Sequence, residues 1–501
     1  MKHRRAATAL ILSASTIFMV PIAMAQSLDE RSNDSIEEVV VTGIRSSLAS
    51  SVETKRNSDN LVEAVYADAI GKLPDQNLAE VLENITGVQI TREAGVGTGV
   101  QIRGTNANRI EINGVSTVGS GDGRSGIDFE DVSAAMIASV EVIKSSEAKT
   151  IEGSVGGTIN LRTIRPLALN GMLASIRLQG EQSDLSAEDD ITPRLSGVWG
   201  NNWDTDSGSF GVVISASYAE SDVTSFRPRV DRDNLSSVTS NVNSTAAGDN
   251  IAFDFLPIQF LNQDYDNHEY ETTNIAGSIE WAPNDQLKFY FDAVVNDQER
   301  RQEGYRVQLS GVGGANVIGP ASYSGFETVD FGTLDSEIGM QDLGTIQAAT
   351  QGILYPEQTG NLDPNMRTST DTGSRVTKNN LFSLGGEWTG DRWTMGAELS
   401  SSSSDTELPG LTSTLNFLNP NSAITTRIDN GVPAQFDLTG GQLTFGIAQG
   451  LPTTPTAQML LDPANYVLAQ FNQSVDQTEN KEDAFRVDFS YDLEWSGLTS
   501  I

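Results

Sequence analysis

Cysteine is absent from this chain, and only two histidines, His3 and His268, occur among its 501 residues. The absence of cysteine excludes disulfides, thiol nucleophiles and thiolate metal sites, and two histidines cannot build a multi-histidine metal centre. The motifs H-E-x-x-H and G-x-S-x-G are missing, and the Gly71-Lys72 pair is followed by Leu rather than Ser or Thr. We therefore predict no catalytic residue, no metal site and no cofactor.

Positively charged residues and long apolar runs are also scarce. Lys and Arg total 32 against 67 Asp and Glu, which gives a formal net charge of −35. Nucleic-acid binding needs an excess of Lys and Arg to neutralise phosphates, so we predict that nucleic acid is not a partner. Beyond the N-terminus no segment reaches the roughly 18 consecutive apolar residues of a membrane-spanning helix. Any membrane insertion must therefore use strands.

The N-terminus has the pattern of an export signal. Basic residues within 2–5 precede a mostly apolar stretch at 6–19, and Ala23-Met24-Ala25 fits a small-residue cleavage site. We predict a cleaved signal peptide at 1–25. The alternative is a transmembrane anchor, but the apolar stretch is short for a bilayer span.

Beyond Pro166, apolar residues alternate with polar ones, which is the period of a β-strand with one apolar face. In 209–221, for example, Phe210, Val212 and Ile214 share one face. The alternation predicts eight strands, near 172–182, 192–200, 209–221, 275–281, 287–295, 382–388, 393–399 and 485–493.

The connections between these strands alternate in length, and this separates the possible β folds. The very long connections are 221–273, 298–379 and 402–483, and they alternate with short turns, as in outer-membrane barrels with large outer loops. All six tryptophans lie at strand ends beside the short turns, as in an aromatic girdle at a membrane interface: Trp199, Trp203, Trp281, Trp388, Trp393 and Trp495. In a soluble sandwich, the alternative fold, nothing would place all tryptophans at the same end of the strands. We predict a membrane all-β fold, a transmembrane antiparallel β-barrel.

Eight strands would close around an interior just wide enough for side chains. That interior has no room for the roughly 120 residues that precede the strands. We therefore expect 167–501 to be a partial barrel with long outer loops that lacks its later strands. The alternative is a genuine eight-stranded barrel.

A series of motifs in fixed order precedes Pro166. They are Glu37–Gly43, Leu78–Leu82, Thr86–Val88, Val100–Gly104, Arg109–Val115, Val140–Lys144 and Glu152–Leu161. In this order they resemble the N-terminal part of a TonB-dependent receptor, a plug-and-barrel transporter of the Gram-negative outer membrane. The resemblance implies an N-terminal segment at 26–50 and an α+β plug domain at 51–166. It also implies a TonB box at Glu37, Glu38, Val39, Val40, Val41, Thr42 and Gly43.

The resemblance implies active import of a scarce ligand. Ligand binding biases the plug so that the box is presented to TonB, and TonB, driven by ExbB/ExbD and the proton-motive force, opens the plug. An extended segment such as 37–43 suits strand addition to the sheet edge of a partner. The implied partners are TonB with ExbB/ExbD, outer-membrane lipid and a small ligand, for a monomeric barrel in the cell outer membrane.

The plug loops at 92–99, 106–108 and 116–128 are expected to face this ligand. Candidate polar contacts are Arg92, Glu93, Asn106, Asn108, Asp122 and Arg124. Arg103 and Arg109 are expected to pair within the plug or with the barrel instead.

Two stretches, 47–59 and 68–77, are similar to a subgroup often linked to carbohydrate uptake. Loops this acidic would also repel an anionic ferric chelate unless arginines cluster locally. We therefore expect an oligosaccharide as ligand, with a ferric siderophore as the alternative. Two other classes are a passive pore or adhesin, which needs no plug, and a barrel hydrolase, which would have to use His268.

Overall fold

The structure is a computed structural model of the 501-residue chain. It describes residues 44–58, 60–66, 78–83, 85–93, 96–119, 126–127, 129, 137–145, 153–182, 184, 186, 191–232, 251–310, 321–336, 339–342, 344–355, 366–422, 431–441, 443–495 and 498–500. The predicted signal peptide and the predicted box Glu37–Gly43 lie outside the described residues.

Residues 44–163 form a small α+β domain, here called the N-terminal domain. Its helices are α1 (Ile44–Asn57) and α2 (Leu78–Glu83). Its strands are β1 (Val62–Tyr66), β2 (Val88–Glu93), β3 (Val96–Ile102), β4 (Asn108–Ile112), β5 (Val115–Ser116), β6 (Ile137–Ile143) and β7 (Gly157–Thr163). Five of them form a sheet of order β1-β6-β7-β4-β5, in which β4 and β7 are parallel, while β2 and β3 form a separate hairpin.

The core of this domain follows from its apolar spacing. Leu78, Val81 and Leu82 share one face of α2, and all three side chains are fully buried in a cluster with residues of β3, β4, β6 and β7. The turn between β4 and β5 is Asn113-Gly114, and both residues have positive φ (54° and 83°). Asn-Gly accepts this conformation more readily than other pairs, and it gives a tight hairpin. Among the described helices, none is both long and apolar enough to cross a membrane.

A second sheet, here called the long-strand sheet, follows the N-terminal domain. Its strands are β8 (Leu173–Glu181), β9 (Thr192–Thr205), β10 (Gly208–Arg232), β12 (Ile258–Asn284), β13 (Leu287–Ser310), β18 (Met366–Thr389), β19 (Trp393–Phe417), β22 (Tyr466–Trp495) and the short β23 (Leu498–Ser500). Each pairs antiparallel with the next in this order. The prediction of eight successive antiparallel strands behind an α+β domain is confirmed.

Six of these strands are much longer than the sequence predicted, with 24 to 30 residues each. About ten residues suffice to cross a bilayer. Alternation is visible only where one face is apolar, so the sequence located Ile275–Trp281 but missed the polar first part of β12. The predicted long connections shrink accordingly to 233–257, 311–365 and 418–465.

The predicted long loops also contain a sheet of their own, here called the loop sheet. It consists of β11 (Phe255–Leu256), β14 (Ala321–Asp330), β17 (Thr345–Leu354), β20 (Ala434–Asp437) and β21 (Thr444–Ile447). Nearby lie the hairpin β15 (Thr333–Ser336) and β16 (Gly339–Asp342) and the helix α3 (Ala457–Leu461). Phe255 and Phe436 of the loop sheet share an apolar core with Leu261 and Phe417 of the long strands. The loop sheet is therefore anchored to the ends of the long strands that lie away from the short turns.

Candidate functional site

The two faces of the long-strand sheet are opposite in polarity to those of a soluble protein. Large apolar side chains such as Ile176, Leu399 and Phe485 are 79%, 56% and 68% exposed. On the other face, polar side chains such as Glu280 and Asn296 are at least 98% buried. Soluble proteins bury apolar residues and expose charged ones. An exposed apolar face around a polar interior is the arrangement of a membrane barrel.

Aromatic side chains gather at one edge of the exposed apolar face. Trp203 stacks on Phe210 with a centroid separation of 6.1 Å, and Trp281 stacks on Phe289 at 5.7 Å. Trp393 lies 4.3 Å from the ring of Tyr491. These pairs all flank short turns between strands, as the sequence predicted for an interfacial girdle.

The N-terminal domain lies against the polar face, here called the inner face, and Asp292 of β13 is central to the contact. The Arg165 guanidinium donates to both Asp292 oxygens, at 2.9 and 3.1 Å. The Ser278 hydroxyl donates at 2.7 Å and the Asn113 side-chain amide at 3.3 Å. Asp292 is only 5% exposed, so these donors replace the water that its carboxylate loses.

A second carboxylate lies beside this group. Glu280, 2% exposed, accepts a hydrogen bond from the Leu167 backbone N–H at 2.9 Å and lies 3.8 Å from the Arg165 guanidinium. The same guanidinium is 5.3 Å above the Tyr290 ring. Arg165 lies in the segment that joins the N-terminal domain to the long-strand sheet. It therefore neutralises two carboxylates of that sheet from this segment.

The segment 113–119 continues these contacts along the inner face. The Arg486 guanidinium donates to the Gly114 carbonyl at 3.1 Å, and the Ser116 hydroxyl donates to Glu482 at 3.1 Å. The Val118 N–H donates to the Ser402 hydroxyl at 3.2 Å, and the Asn480 amide donates to the Gly119 carbonyl at 2.8 Å. These four contacts are hydrogen bonds between polar groups, which water can also make, so they can open at lower cost than contacts in an apolar core.

The predicted site residue Arg92 lies at the end of the β2–β3 hairpin and contacts helix α2. Its guanidinium is 2.6 Å from Glu80 and 2.5 Å from Glu83. Hydrogen bonds to these two carboxylates raise the pKa of Arg92 above its ordinary value. Glu93 pairs through its backbone with Val96 in the same hairpin.

Asn106 and Asn108 lie together. Asn106 is exposed, whereas Asn108 is 2% exposed and donates its amide to the Val100 carbonyl at 2.8 Å. Both line a cavity of about 170 Å³ at the start of β4. Asp122 and Arg124, the other two candidates, lie outside the described residues. Arg109 pairs with Glu111 at 2.9 Å, which confirms the expectation of an internal ion pair.

The contact residues Arg165, Glu280, Asp292 and Arg486 were not predicted from the sequence. A signal for two of them existed. Glu280 and Asp292 are carboxylates on the polar face of strands whose opposite face is apolar. A charge within a membrane-spanning segment is costly unless it has a partner. Their partners could not be identified, because the sequence does not show which part of the N-terminal domain reaches them.

Comparison with known proteins supports this description of the N-terminal domain. Residues 54–158 match the family model of the TonB-dependent Receptor Plug Domain. No characterised protein sequence matches the chain.

Several solved structures align with the chain at low identity. The ferric citrate transporter FecA, in its unliganded form, is 10% identical over 88% of this chain and 76% of its own, with a TM-score of 0.30. The siderophore receptor PirA from Acinetobacter baumannii is 12% identical over 79% of this chain and 60% of its own, with a TM-score of 0.27. The ferric enterobactin receptor PfeA from Pseudomonas aeruginosa is 13% identical over 86% and 72%, with a TM-score of 0.30.

The chain thus spans between 60% and 76% of the length of these three proteins. The chain carries a TonB-dependent receptor plug domain, seated on the inner face of a large antiparallel sheet whose outer face is apolar.

Proposed function

We propose that this protein is an outer-membrane receptor that imports a scarce ligand by TonB-driven remodelling of its plug. The observation that carries the proposal is the position of the plug domain on the long-strand sheet. The domain lies on the polar face of a sheet whose opposite face exposes an apolar band with tryptophans at its edge. A passive pore needs no such domain in its lumen. No catalytic residue is assigned, because the proposed activity is transport.

The order of strands in the plug sheet suggests where a pulling force would act. The proposed box at 37–43 directly precedes α1, and α1 leads into β1, which is the edge strand of the plug sheet. Lys55 of α1 forms a 2.7 Å ion pair with Glu63 of β1, and the Thr54 and Tyr66 hydroxyls lie 2.7 Å apart. If TonB pulls on the box, the force would therefore act on α1 and β1 before it acts on the buried core of the plug. An edge strand pairs on one side only and can be peeled off stepwise.

The test is an uptake experiment on cells that express the complete gene. Deletion of Glu37–Gly43 should abolish uptake and leave ligand binding at the cell surface unchanged, because the box contacts TonB and not the ligand. Replacement of 27–33 with a Gly/Ser stretch of equal length is the matched control and should transport normally. A protonophore should stop uptake in wild-type cells. Uptake that survives both the deletion and the protonophore would show a passive pore.

The ligand is proposed to be an oligosaccharide, with a ferric siderophore as the alternative. Wild-type and gene-deletion strains grown on limiting iron, and separately on a panel of oligosaccharides, distinguish the two. A growth defect confined to one sugar supports the carbohydrate ligand. A defect confined to iron limitation refutes it.

A further inference from the structure

A further pocket lies on the outer face of the long-strand sheet, on the side away from the plug. Its floor is formed by Gly386 of β18 and Ala397 of β19, which are direct partners in the register of these two strands. Both residues face outward, because Trp388 and Leu399, two positions farther along each strand, are exposed on the apolar face. Glycine and alanine are the two smallest residues, so the face is recessed where they meet. We call this recess the outer-face pocket.

Larger side chains enclose this recess on all four sides. One pair of register partners lies between the floor and the short turns, and another pair lies on the long-loop side of the floor. The two remaining sides are formed by the register partners of the floor residues in the neighbouring strands. The ring of Phe289 leans against Gly386, where a Cβ would lie 3.0 Å from its Cδ1 atom. In this order, the walls are Trp388 and Met395, Leu384 and Leu399, and Phe289 and Val487.

The outward side chains of the described lining are all apolar. Glu387, Glu398 and Asp488 also belong to the lining, but they alternate with the outward residues, so their side chains lie on the inner face. There the Tyr290 hydroxyl donates to Glu398 at 2.6 Å, and Asp488 pairs with Arg486 at 2.8 Å. A ligand that depends on charge or hydrogen bonds would therefore lose its water in the pocket without compensation.

The position of the pocket along the strands places it within one leaflet of a bilayer. Ala397 lies four residues after Trp393, which belongs to the aromatic group beside the short turns. At about 3.3 Å per residue this is roughly 13 Å along the strand, and it is less along the membrane normal because barrel strands are tilted. Half of the hydrocarbon core measures about 15 Å. The pocket therefore lies in the leaflet on the side of the short turns.

We propose that the outer-face pocket binds one acyl chain of a phospholipid from this leaflet. The inference rests on the outer-membrane location that belongs to the proposed function. The short turns of outer-membrane barrels face the periplasm, and the leaflet on that side consists of phospholipid. An acyl chain offers only C–H groups and bends to the shape of its surroundings, which matches a recess with apolar walls. The volume of the pocket, about 630 Å³, lies within the roughly 300–1,000 Å³ of pockets that hold an organic ligand.

The shape of the pocket distinguishes this lipid from the others that surround the sheet. Lipid tails are as apolar as leucine, so removal from water favours no position on the outer face over another. An acyl chain in the pocket contacts side chains on several sides, whereas a chain on a flat part of the face contacts the protein on one side only. Each added contact contributes dispersion energy. The bound lipid should therefore exchange more slowly than its neighbours and remain bound when detergent removes them.

Native mass spectrometry of the complete protein, extracted from outer membranes in mild detergent, tests the proposal. Wild-type protein should retain one phosphatidylethanolamine or phosphatidylglycerol molecule after detergent exchange. Ala397→Ile fills the floor of the pocket and should lower the lipid-bound fraction at least about fivefold, as overpacking does elsewhere. Leu399→Ala removes one wall and should lower it to a smaller extent. Both side chains are exposed on the outer face, and far-UV circular dichroism checks that both variants keep their strands.

Ala216→Ile is the matched control, because Ala216 is also exposed on the outer face but lies in β10, outside the pocket lining. It should retain phospholipid as wild type does. Equal retention in all variants, or no phospholipid on wild-type protein, would overturn the pocket. Retained lipid A would overturn the choice of leaflet, and a second copy of the chain that Ala397→Ile releases would show a protein contact instead. The measurement needs neither TonB nor imported ligand, so its result is independent of whether uptake depends on the proton-motive force.

Discussion

The side chain of Arg165 balances two carboxylates that would otherwise be buried without a counter-charge. Asp292 and Glu280 are 5% and 2% exposed, and Arg165 donates to the first at 2.9 Å and lies 3.8 Å from the second. Removing one partner of a buried ion pair costs about 3–5 kcal/mol. Since the Arg165 side chain is 32% exposed, we expect the lower end of that range.

Arg165→Ala should therefore raise the opening equilibrium of the plug contact roughly a hundredfold. Hydrogen–deuterium exchange of the 113–119 amides in the detergent-solubilised protein measures this directly. Arg162→Ala is the matched control, because Arg162 pairs with Glu141 within the plug and its side chain is 52% exposed. Equal protection of 113–119 in both variants would mean that Arg165 does not hold the plug.

Gly156 is a second single position at which packing leaves no room for a side chain. A Cβ at Gly156 would lie 2.2 Å from Asn108 Oδ1 and 3.1 Å from the Ile102 carbonyl oxygen. Gly156→Ala should therefore displace Asn108 and cost about 1–3 kcal/mol. Gly446→Ala in the loop sheet, where a Cβ meets nothing within 4 Å, should change stability by less than about 0.5 kcal/mol.

Thermal unfolding of the two glycine variants measures this difference. Gly156→Ala should lower the unfolding temperature, whereas Gly446→Ala should leave it nearly unchanged. Equal unfolding temperatures in the two variants would show that the space beside Asn108 accommodates a methyl group.

At the scale of single elements, the long strands show what a sequence pattern can and cannot predict. The apolar outer face of Ile275–Trp281 alternates with polar residues on the inner face, and this stretch was located correctly. Farther along the same strand, outward residues such as Glu269 and Glu271 are as polar as inward ones such as Asp266. With both faces polar, period-two alternation disappears although the backbone pairing continues.

The candidate site was predictable to a smaller extent. Asn106 and Asn108 were named from their place in a plug loop, and they do lie together at one cavity. The partners of Asp292 come from residues 113, 165 and 278, and such long-range contacts leave no trace in local spacing. Identifying Ser278 needs the register of β12 and β13, and identifying Asn113 and Arg165 needs the position of the N-terminal domain on the inner face.

The exposed apolar side chains of the outer face form a band across the long strands, and this band leads to a prediction about β18. Leu384 is 55% exposed within the band, next to Phe291 and Leu399 in the neighbouring strands. An arginine on the lipid face near the bilayer midplane costs about 2–4 kcal/mol, and close to an interface about 0–1 kcal/mol. Leu384→Arg should therefore fold poorly into lipid vesicles.

Val376→Arg is the matched control on the same strand and the same face. Val376 lies outside the band, in register with Glu299 and Glu407, so an arginine there meets carboxylates instead of lipid. Urea titration in vesicles should show a large loss of stability for Leu384→Arg and little change for Val376→Arg. Equal losses would contradict a membrane boundary between the two positions.

For the molecule as a whole, the proposed import requires the plug to move, either as one body or by unravelling from its edge. Its contacts with the long-strand sheet are mostly polar, but Ala276, Val294 and Leu381 of that sheet also join the apolar core of the plug. Leaving as one body would break these apolar contacts together with every hydrogen bond from 113 to 119. Peeling β1 from β6 breaks only the edge pairing, so we expect peeling to come first.

A disulfide between β1 and β6 tests this order, because the chain has no cysteine of its own and an introduced pair can react only with itself. Val65 and Val140 are direct antiparallel partners, a spacing of about 4.5–5.5 Å between Cα atoms that a disulfide can bridge. Oxidised Val65→Cys/Val140→Cys should bind ligand normally but import none, and reduction should restore uptake. The pair Gln435→Cys/Gly446→Cys in the loop sheet, also direct partners, should transport in both redox states. Undiminished uptake by the oxidised Val65→Cys/Val140→Cys protein would show that β1 stays paired during import, and that the plug moves with its sheet intact.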